Sequence, residues 1–254
     1  MLAHERRKKI LSMLVSTGYL NANQLAEAFE VDSSTIRRDL IHLEKTQQIV
    51  RTHGGVLPVL TTERQDTPYT IRKSRNHEQK VAIGQYAASL IADGDSVILD
   101  NGSTVYELAV QLASKKDLTV ITNDLNIALL LSQYPAINLN ITGGVVIGNS
   151  LTLVGPDATR KFTEVYADWA FLGAEGVHPQ AGITNVNAIE LPTKKEILKS
   201  AKTRVVLADT SKLGYRALSH VCDIADIDMI ITDKKKNDKS STGYDDKLRF
   251  ARHE

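Results

Sequence analysis

From about residue 77 onward the chain alternates short β-rich apolar runs with helical segments, the runs falling at 96–99, 118–122, 137–141, 169–172, 205–208 and 229–232. A helix between two strands returns the chain to the same end of a sheet, so this alternation predicts a largely parallel sheet covered by helices. A helix over about 77–91 leads into it. The segments after the runs are polar or glycine-rich: Asp100-Asn101-Gly102-Ser103-Thr104, then Asn123, then Gly143-Gly144, then Gly173-Ala174-Glu175-Gly176, then Asp209-Thr210-Ser211-Lys212. In a parallel sheet such segments share the carboxyl edge, where open α/β folds bind ligands.

The residue types at that edge point to one kind of ligand. Gly102-Ser103-Thr104 opening a helix offers backbone N–H groups, two hydroxyls and the positive end of the helix dipole, which suits a phosphate. Lys194 and Lys212 supply cations, while Asp100, Glu190 and Asp209 can accept hydrogen bonds from sugar hydroxyls. Taken singly these features are ordinary, since Gly-Ser-Thr is a common helix cap and Gly143-Gly144 a common turn. Their repetition at successive strand ends is what predicts a pocket. The expected ligand is a phosphorylated, hydroxyl-rich metabolite, with Asp100, Asn101, Gly102, Ser103, Thr104, Asn123, Gly143, Gly144, Gly173, Glu175, Glu190, Lys194, Asp209 and Lys212 as candidate contacts.

Residues 1–57 obey a different pattern. An apolar stripe on Ile10, Leu11 and Leu14 predicts a first helix ended by Gly18; Asn21 caps a second that carries Leu25, Ala26 and Phe29. After the turn at Val31-Asp32, a third helix to about Thr46 buries Ile36, Leu40 and Leu43 and turns Ser34, Arg37, Arg38 and His42 outward. Two short strands around His53-Gly54-Gly55 complete a winged helix-turn-helix. An exposed arginine pair can be a solvated helix face salt-bridged to Asp39 or Glu44. Here the surrounding pattern favours double-stranded DNA, read by Ser33, Ser34, Thr35, Arg37 and Arg38 on the helix and by Arg51, His53 and Gly54 on the wing. Residues 1–75 hold 12 Lys and Arg against 8 Asp and Glu, whereas the whole chain of 254 residues has a net charge of only +1.

Composition removes other classes. With 42% apolar and 24% charged residues the chain is an ordinary globular one, and no run approaches the roughly 18 apolar residues of a membrane span. No export signal is visible, and the single cysteine, Cys222, fits a reducing cytoplasm. The seven histidines are scattered, and neither a dinucleotide nor a P-loop fingerprint occurs, so no metal, cofactor, catalytic residue or membrane partner is expected. Residues 58–76 read as a linker, 77–233 as a sensor and oligomerisation domain, and 234–254 as a polar tail without structure.

Over about residues 5–233 the chain resembles the DeoR family of bacterial sugar-metabolism repressors. The likeness is carried by Gln24-Leu25-Ala26, by Val31-Asp32-Ser33-Ser34-Thr35-Ile36-Arg37-Arg38-Asp39-Leu40 and by Val50-Arg51-Thr52-His53-Gly54-Gly55-Val56. In the second part it is carried by the strand-end motifs above, together with Gly155-Pro156 and Glu190 with Lys194. The resemblance implies a sensor related to ribose-phosphate isomerases and a sugar-phosphate effector that weakens operator binding. One winged helix buries little DNA, so a homo-oligomer, dimer or tetramer, on paired half-sites is expected. The rival reading is a sugar-phosphate isomerase with a DNA-binding arm, using Asp100, Glu190 and Lys194 as base and electrophile. After Asp233 the family's closing helix and strand are not recognisable.

Overall fold

The computed structural model describes residues 2–17, 20–46, 49–51, 55–58, 69–148, 150–233, 243–244 and 246–251. The chain divides into two compact units, Met1–Thr62 with Thr70–Arg75 and Glu63–Tyr69 with Asn76–Glu254. Among the described residues no helix is long and apolar enough to cross a membrane.

The first unit runs α1 (Ala3–Thr17), β1 (Leu20–Asn21), α2 (Ala22–Ala28), α3 (Ser33–Lys45), β2 (Ile49–Arg51) and β3 (Gly55–Pro58). Asn21 caps α2 by accepting from the Asn23 N–H at 2.8 Å, and Asp32 caps α3 by accepting from the Ser34 N–H at 2.7 Å. Each cap satisfies a helix-end donor and contributes about 1 kcal/mol. Ile10, Leu14, Leu25, Ile36, Leu40 and Leu43 meet Ile49 and Val56 in one buried core. The expected hairpin is a three-stranded sheet, because Leu20-Asn21 pairs antiparallel with Val56 and Gly55 of β3. The expected linker is also shorter than 58–76: Pro58 ends β3 and Tyr69–Ser74 forms α4, while 59–68 lie outside the described residues.

The second unit continues with α5 (His77–Ser89), β4 (Ser96–Leu99), α6 (Ser103–Leu112), β5 (Leu118–Thr122), α7 (Leu125–Leu131) and β6 (Ile137–Ile141). Then come β7 (Val145–Ile147), β8 (Thr152–Val154), α8 (Pro156–Thr163), β9 (Ala167–Gly173), β10 (Gly176–His178) and β11 (Gly182–Asn185). The chain closes with α9 (Leu191–Lys199), β12 (Ala201–Leu207), β13 (Ser219–Cys222), β14 (Met229–Thr232) and β15 (Leu248–Phe250). Seven strands form one sheet in the order β15-β14-β12-β9-β4-β5-β6, with every pair parallel. All six runs read from the sequence are strands of this sheet. Side chains alternate between its faces: Val97, Leu99, Val120 and Phe171 join the core under α5, α6 and α7, while Ile98, Ile121, Ala170 and Leu172 join a second core with Phe162 and Ile197. Burial on both faces is why these strands are apolar throughout rather than alternating.

The tail corrects the expectation. Residues 234–242 lie outside the described residues, but β15 adds to β14 as the seventh strand, and Tyr244 is buried with its hydroxyl donating to the Val177 carbonyl at 3.1 Å. Three residues set among charges, Leu248-Arg249-Phe250, carry too little periodicity to announce a strand; pairing with β14 creates it.

Candidate functional site

In the first unit, α3 carries a buried carboxylate. Asp39, 2% exposed, accepts from Arg6 Nε at 2.6 Å and from Arg7 Nε at 2.7 Å, fastening α1 to α3. The acid next in sequence to the arginine pair is thus already engaged elsewhere. Arg37 and Arg38 are exposed, and no acidic side chain pairs with them among the described residues. Ser33 and Ser34 are exposed at the first turn of α3 and Thr35 is half-buried. The hydrogen bonds from Ser34 hold the Asp32 carboxyl below its ordinary pKa, aided by the charge of Arg38. Asp32 is therefore ionised at neutral pH and stays a cap. Arg51 ends β2 opposite Val56, while His53 and Gly54 lie outside the described residues.

In the second unit, sheet topology decides where a ligand can go. The chain builds outward from β4 through β5 to β6 on one side, and from β9 through β12, β14 and β15 on the other. The order therefore reverses between β4 and β9, the point at which open α/β sheets form a ligand crevice beyond the carboxyl ends of their strands. Asp100-Asn101-Gly102 comes directly after β4 and Gly173 ends β9 at that point. A Cβ on Gly173 would lie 2.7 Å from the Asn101 carbonyl oxygen, so glycine lets the two strand ends close together. Gly102, at φ +146°, turns the chain into α6 and places Ser103 and Thr104 in its first turn.

Lys194 on α9 reaches into this crevice. It is 3% exposed, ion-paired to Asp100, and donates to Asn101 Oδ1 at 3.2 Å and the Gly173 carbonyl at 3.3 Å. Glu190 Oε2 stands 3.9 Å away, one helical turn earlier, and itself accepts from Asn185 at 3.0 Å and Asn101 at 3.4 Å. Burial pulls the Lys194 pKa down, but the charges of Asp100 and Glu190 more than offset it, so the ammonium stays charged above its ordinary range. The second carboxylate oxygen of Asp100, Oδ1, is among the buried side-chain oxygens that have no partner among the described residues. A group of this kind is an acceptor awaiting a donor.

Other expected contacts divide. Lys212 pairs with Glu175 at 2.6 Å, and Glu175 adds to the field that raises the Lys194 pKa. Asp209 caps the turn at Thr210–Lys212 by accepting from the Ser211 N–H, and it also accepts from the Asn76 side-chain amide at 3.0 Å. Asn123 and Gly144 also hold the fold, and Asn123 Oδ1 is buried with no partner among the described residues. The Asn123 amide holds the Leu153 carbonyl at 3.3 Å, and a Cβ on Gly144 would sit 2.6 Å from the Val154 carbonyl oxygen, so both fasten β8. Gly143, at φ +74°, faces open space. Sequence reasoning missed Asp124, which accepts from the Gly102 N–H at 3.2 Å and caps α7; burial raises its pKa. It also missed Asn185 and Asn76. Asp124 stands directly after Asn123, a signal that was present, whereas Asn185 ends an antiparallel strand and carried none. Burial pushes the Cys222 thiol up to about 12, so it is not a thiolate at neutral pH. No group of residues suited to a metal ion occurs among the described residues.

Comparison with known proteins matches both units. The model of the DeoR C-terminal sensor domain matches residues 75–234, and that of the DeoR-like helix-turn-helix domain matches residues 6–62. The chain is 35% identical over 237 residues to the HTH-type transcriptional regulator GolR of Listeria innocua, covering 93% of each chain. It is 35% identical to the HTH-type transcriptional repressor GlcR of Bacillus subtilis, covering 93% of this chain and 91% of the relative. It is also 32% identical to a putative aga operon transcriptional repressor of Escherichia coli O157:H7, over 91% and 86% of the two chains. Among solved structures, ribose 5-phosphate isomerase A of Methanocaldococcus jannaschii superposes with a TM-score of 0.40 at 22% identity, over 54% of each chain.

Proposed function

Because the chain belongs to the DeoR family of transcriptional regulators, we propose that it represses a sugar-metabolism operon in the cytoplasm, bound to paired operator half-sites as a homo-oligomer and released by a phosphorylated sugar. It is a regulator and not an enzyme, so the reading as an isomerase with a DNA-binding arm is set aside. No cofactor takes part beyond the effector. The observation that carries the effector is the buried Lys194 between two carboxylates at the strand-order reversal.

The charges there orient the ligand. Asp100 and Glu190 outnumber Lys194, so a phosphate placed among them meets net repulsion. The first turn of α6, with Ser103, Thr104 and the positive dipole end, is where a phosphate is favoured. The sugar hydroxyls then fall toward Asp100 Oδ1 and Glu190, donating to carboxylates that favour donors. A hydroxyl that takes Asp209 competes with Asn76, the residue at which the second unit resumes after Thr70–Arg75. That competition gives the ligand a differential contact with the segment leading to the DNA-binding unit. Couplings of this type amount to about 1–3 kcal/mol, or roughly 5–150-fold in operator affinity.

A thermal-shift screen of aldose and ketose phosphates, with gel-shift release of operator DNA as the second readout, tests this. One phosphorylated sugar is expected to raise the melting temperature, with about 2.7 kcal/mol of stabilisation at 100 times its Kd, and to release DNA, while its unphosphorylated form does neither. Thr104→Val, which keeps the shape and removes one hydroxyl, is expected to weaken effector binding roughly fivefold with operator affinity unchanged. If no sugar phosphate shifts the melt, the reading fails.

A further inference from the structure

Sheet edges are a hazard for a soluble protein, because an unpaired row of N–H and C=O groups invites another strand. The two edges of the seven-stranded sheet are treated differently. The β15 edge is three residues long, carries Arg249 and is flanked by Asp246 and Lys247. The β6 edge is five residues long and lies inside a run of 32 residues, Leu125 to Pro156, with no Asp, Glu, Lys, Arg or His, in a chain that is 24% charged. No strand pairs with its outer side among the described residues. Ile141, Val145 and Val146 beside it are 46%, 70% and 45% exposed. Depletion of charge with retained apolar side chains marks the core of an interface rather than a solvated surface.

The occupant is identified by the strand itself. Its sequence, Ile137-Asn138-Leu139-Asn140-Ile141, reads the same in both directions. We propose that β6 pairs antiparallel with β6 of a second copy about a two-fold axis through Leu139, joining two seven-stranded sheets into one. An isologous contact must be self-complementary, and a palindromic uncharged strand is so by construction. Ile137 is buried, Leu139 packs against the core under α7, and Ile141, on the same face, is exposed. Pairing brings Ile141 opposite Ile137 of the partner subunit, so the apolar layer runs unbroken across the seam. On the other face each Asn138 meets Asn140 of the partner subunit, an amide pair that can bond mutually.

This deepens the self-association proposed above, and the test separates the two. Molar mass of the full chain, without DNA, is measured by light scattering on a sizing column at low micromolar concentration. N138K/N140K opposes like charges at both pairs flanking Leu139 and is expected to halve the mass of the assembly. N138D/N140K sets each introduced carboxylate opposite an introduced ammonium and is expected to restore the wild-type mass at low salt. Circular dichroism melting reports whether each variant is folded. Wild-type mass in both variants overturns this surface while leaving self-association standing, and a monomeric wild type overturns both. Failure of the mass to recover in folded N138D/N140K overturns the register, and with it the proposal.

Discussion

The two units solve the same problem with opposite signs. In the first, one buried carboxylate, Asp39, sits between two guanidinium groups; in the second, one buried ammonium, Lys194, sits between two carboxylates. The first cluster leaves positive charge in excess and sits on α3, whose outer face carries two more arginines, as suits a polyanion. The second leaves negative charge in excess inside a crevice, as suits a ligand rich in hydroxyl donors whose own anion is held elsewhere. The Asp39 cluster is also partly wet, since Arg7 is 26% exposed, while Lys194 and Asp100 are 3% and 0% exposed. One cluster is a fastener between helices, and the other ties α9 to the ends of β4 and β9.

Removing the central charge from each cluster should give the largest effects. Lys194→Met leaves two buried carboxylates facing each other and is expected to destabilise the second unit by about 3–5 kcal/mol. Asp39→Ala does the same to the first unit, at the lower end of that range because water reaches Arg7. Differential scanning calorimetry should show each substitution moving a different transition, and movement of both by either one would show that the units do not unfold separately. Next in size, Arg37→Ala is expected to cost about 1–3 kcal/mol in specific operator affinity with no change in melting temperature. A gel-shift titration with unaltered affinity would remove Arg37 from the reading face.

A smaller effect marks the charge pair that serves neither purpose. Arg204 donates three hydrogen bonds to Asp228, from its backbone N–H and Nε at 2.8 Å each and from its second guanidinium nitrogen at 3.0 Å, with both side chains about one third exposed. Burial raises the Asp228 pKa, and the hydrogen bonds and charge of Arg204 more than offset it, so the carboxyl titrates below its ordinary value. A depressed carboxylate pKa stabilises the fold above the unfolded value of about 3.9 and loses that contribution as pH falls through the folded one. Asp228→Asn should therefore lower stability by less than about 1 kcal/mol at neutral pH, and the difference from the wild type should vanish in acid, as read by urea melts across pH.

Much of this molecule can be read from the chain, for reasons that differ by element. Strands buried on both faces announce themselves as apolar runs, and the strand ends after β4 and β9 carry the crevice residues in plain order. The network around Lys194 is less legible, because Asn185 and Glu190 come from segments whose proximity is set by the antiparallel sheet of β10, β11 and β13. Asn123 and Gly144 also fasten β8, a role their sequence pattern did not announce, since a polar strand end serves equally to hold a neighbouring hairpin. β1 and β15 fail for one physical reason: two or three residues have no period of their own, and only a partner strand makes them regular.

The late position of β15 sets the order in which the protein becomes competent. Synthesis delivers the N-terminal unit first, with its three strands complete by Pro58, whereas the sheet of the second unit is unfinished until Phe250 has emerged. During translation the reader of DNA exists before its controller. A chain that ends before β15 would have the three strands of the first unit in place while the flank of β14 stays unpaired.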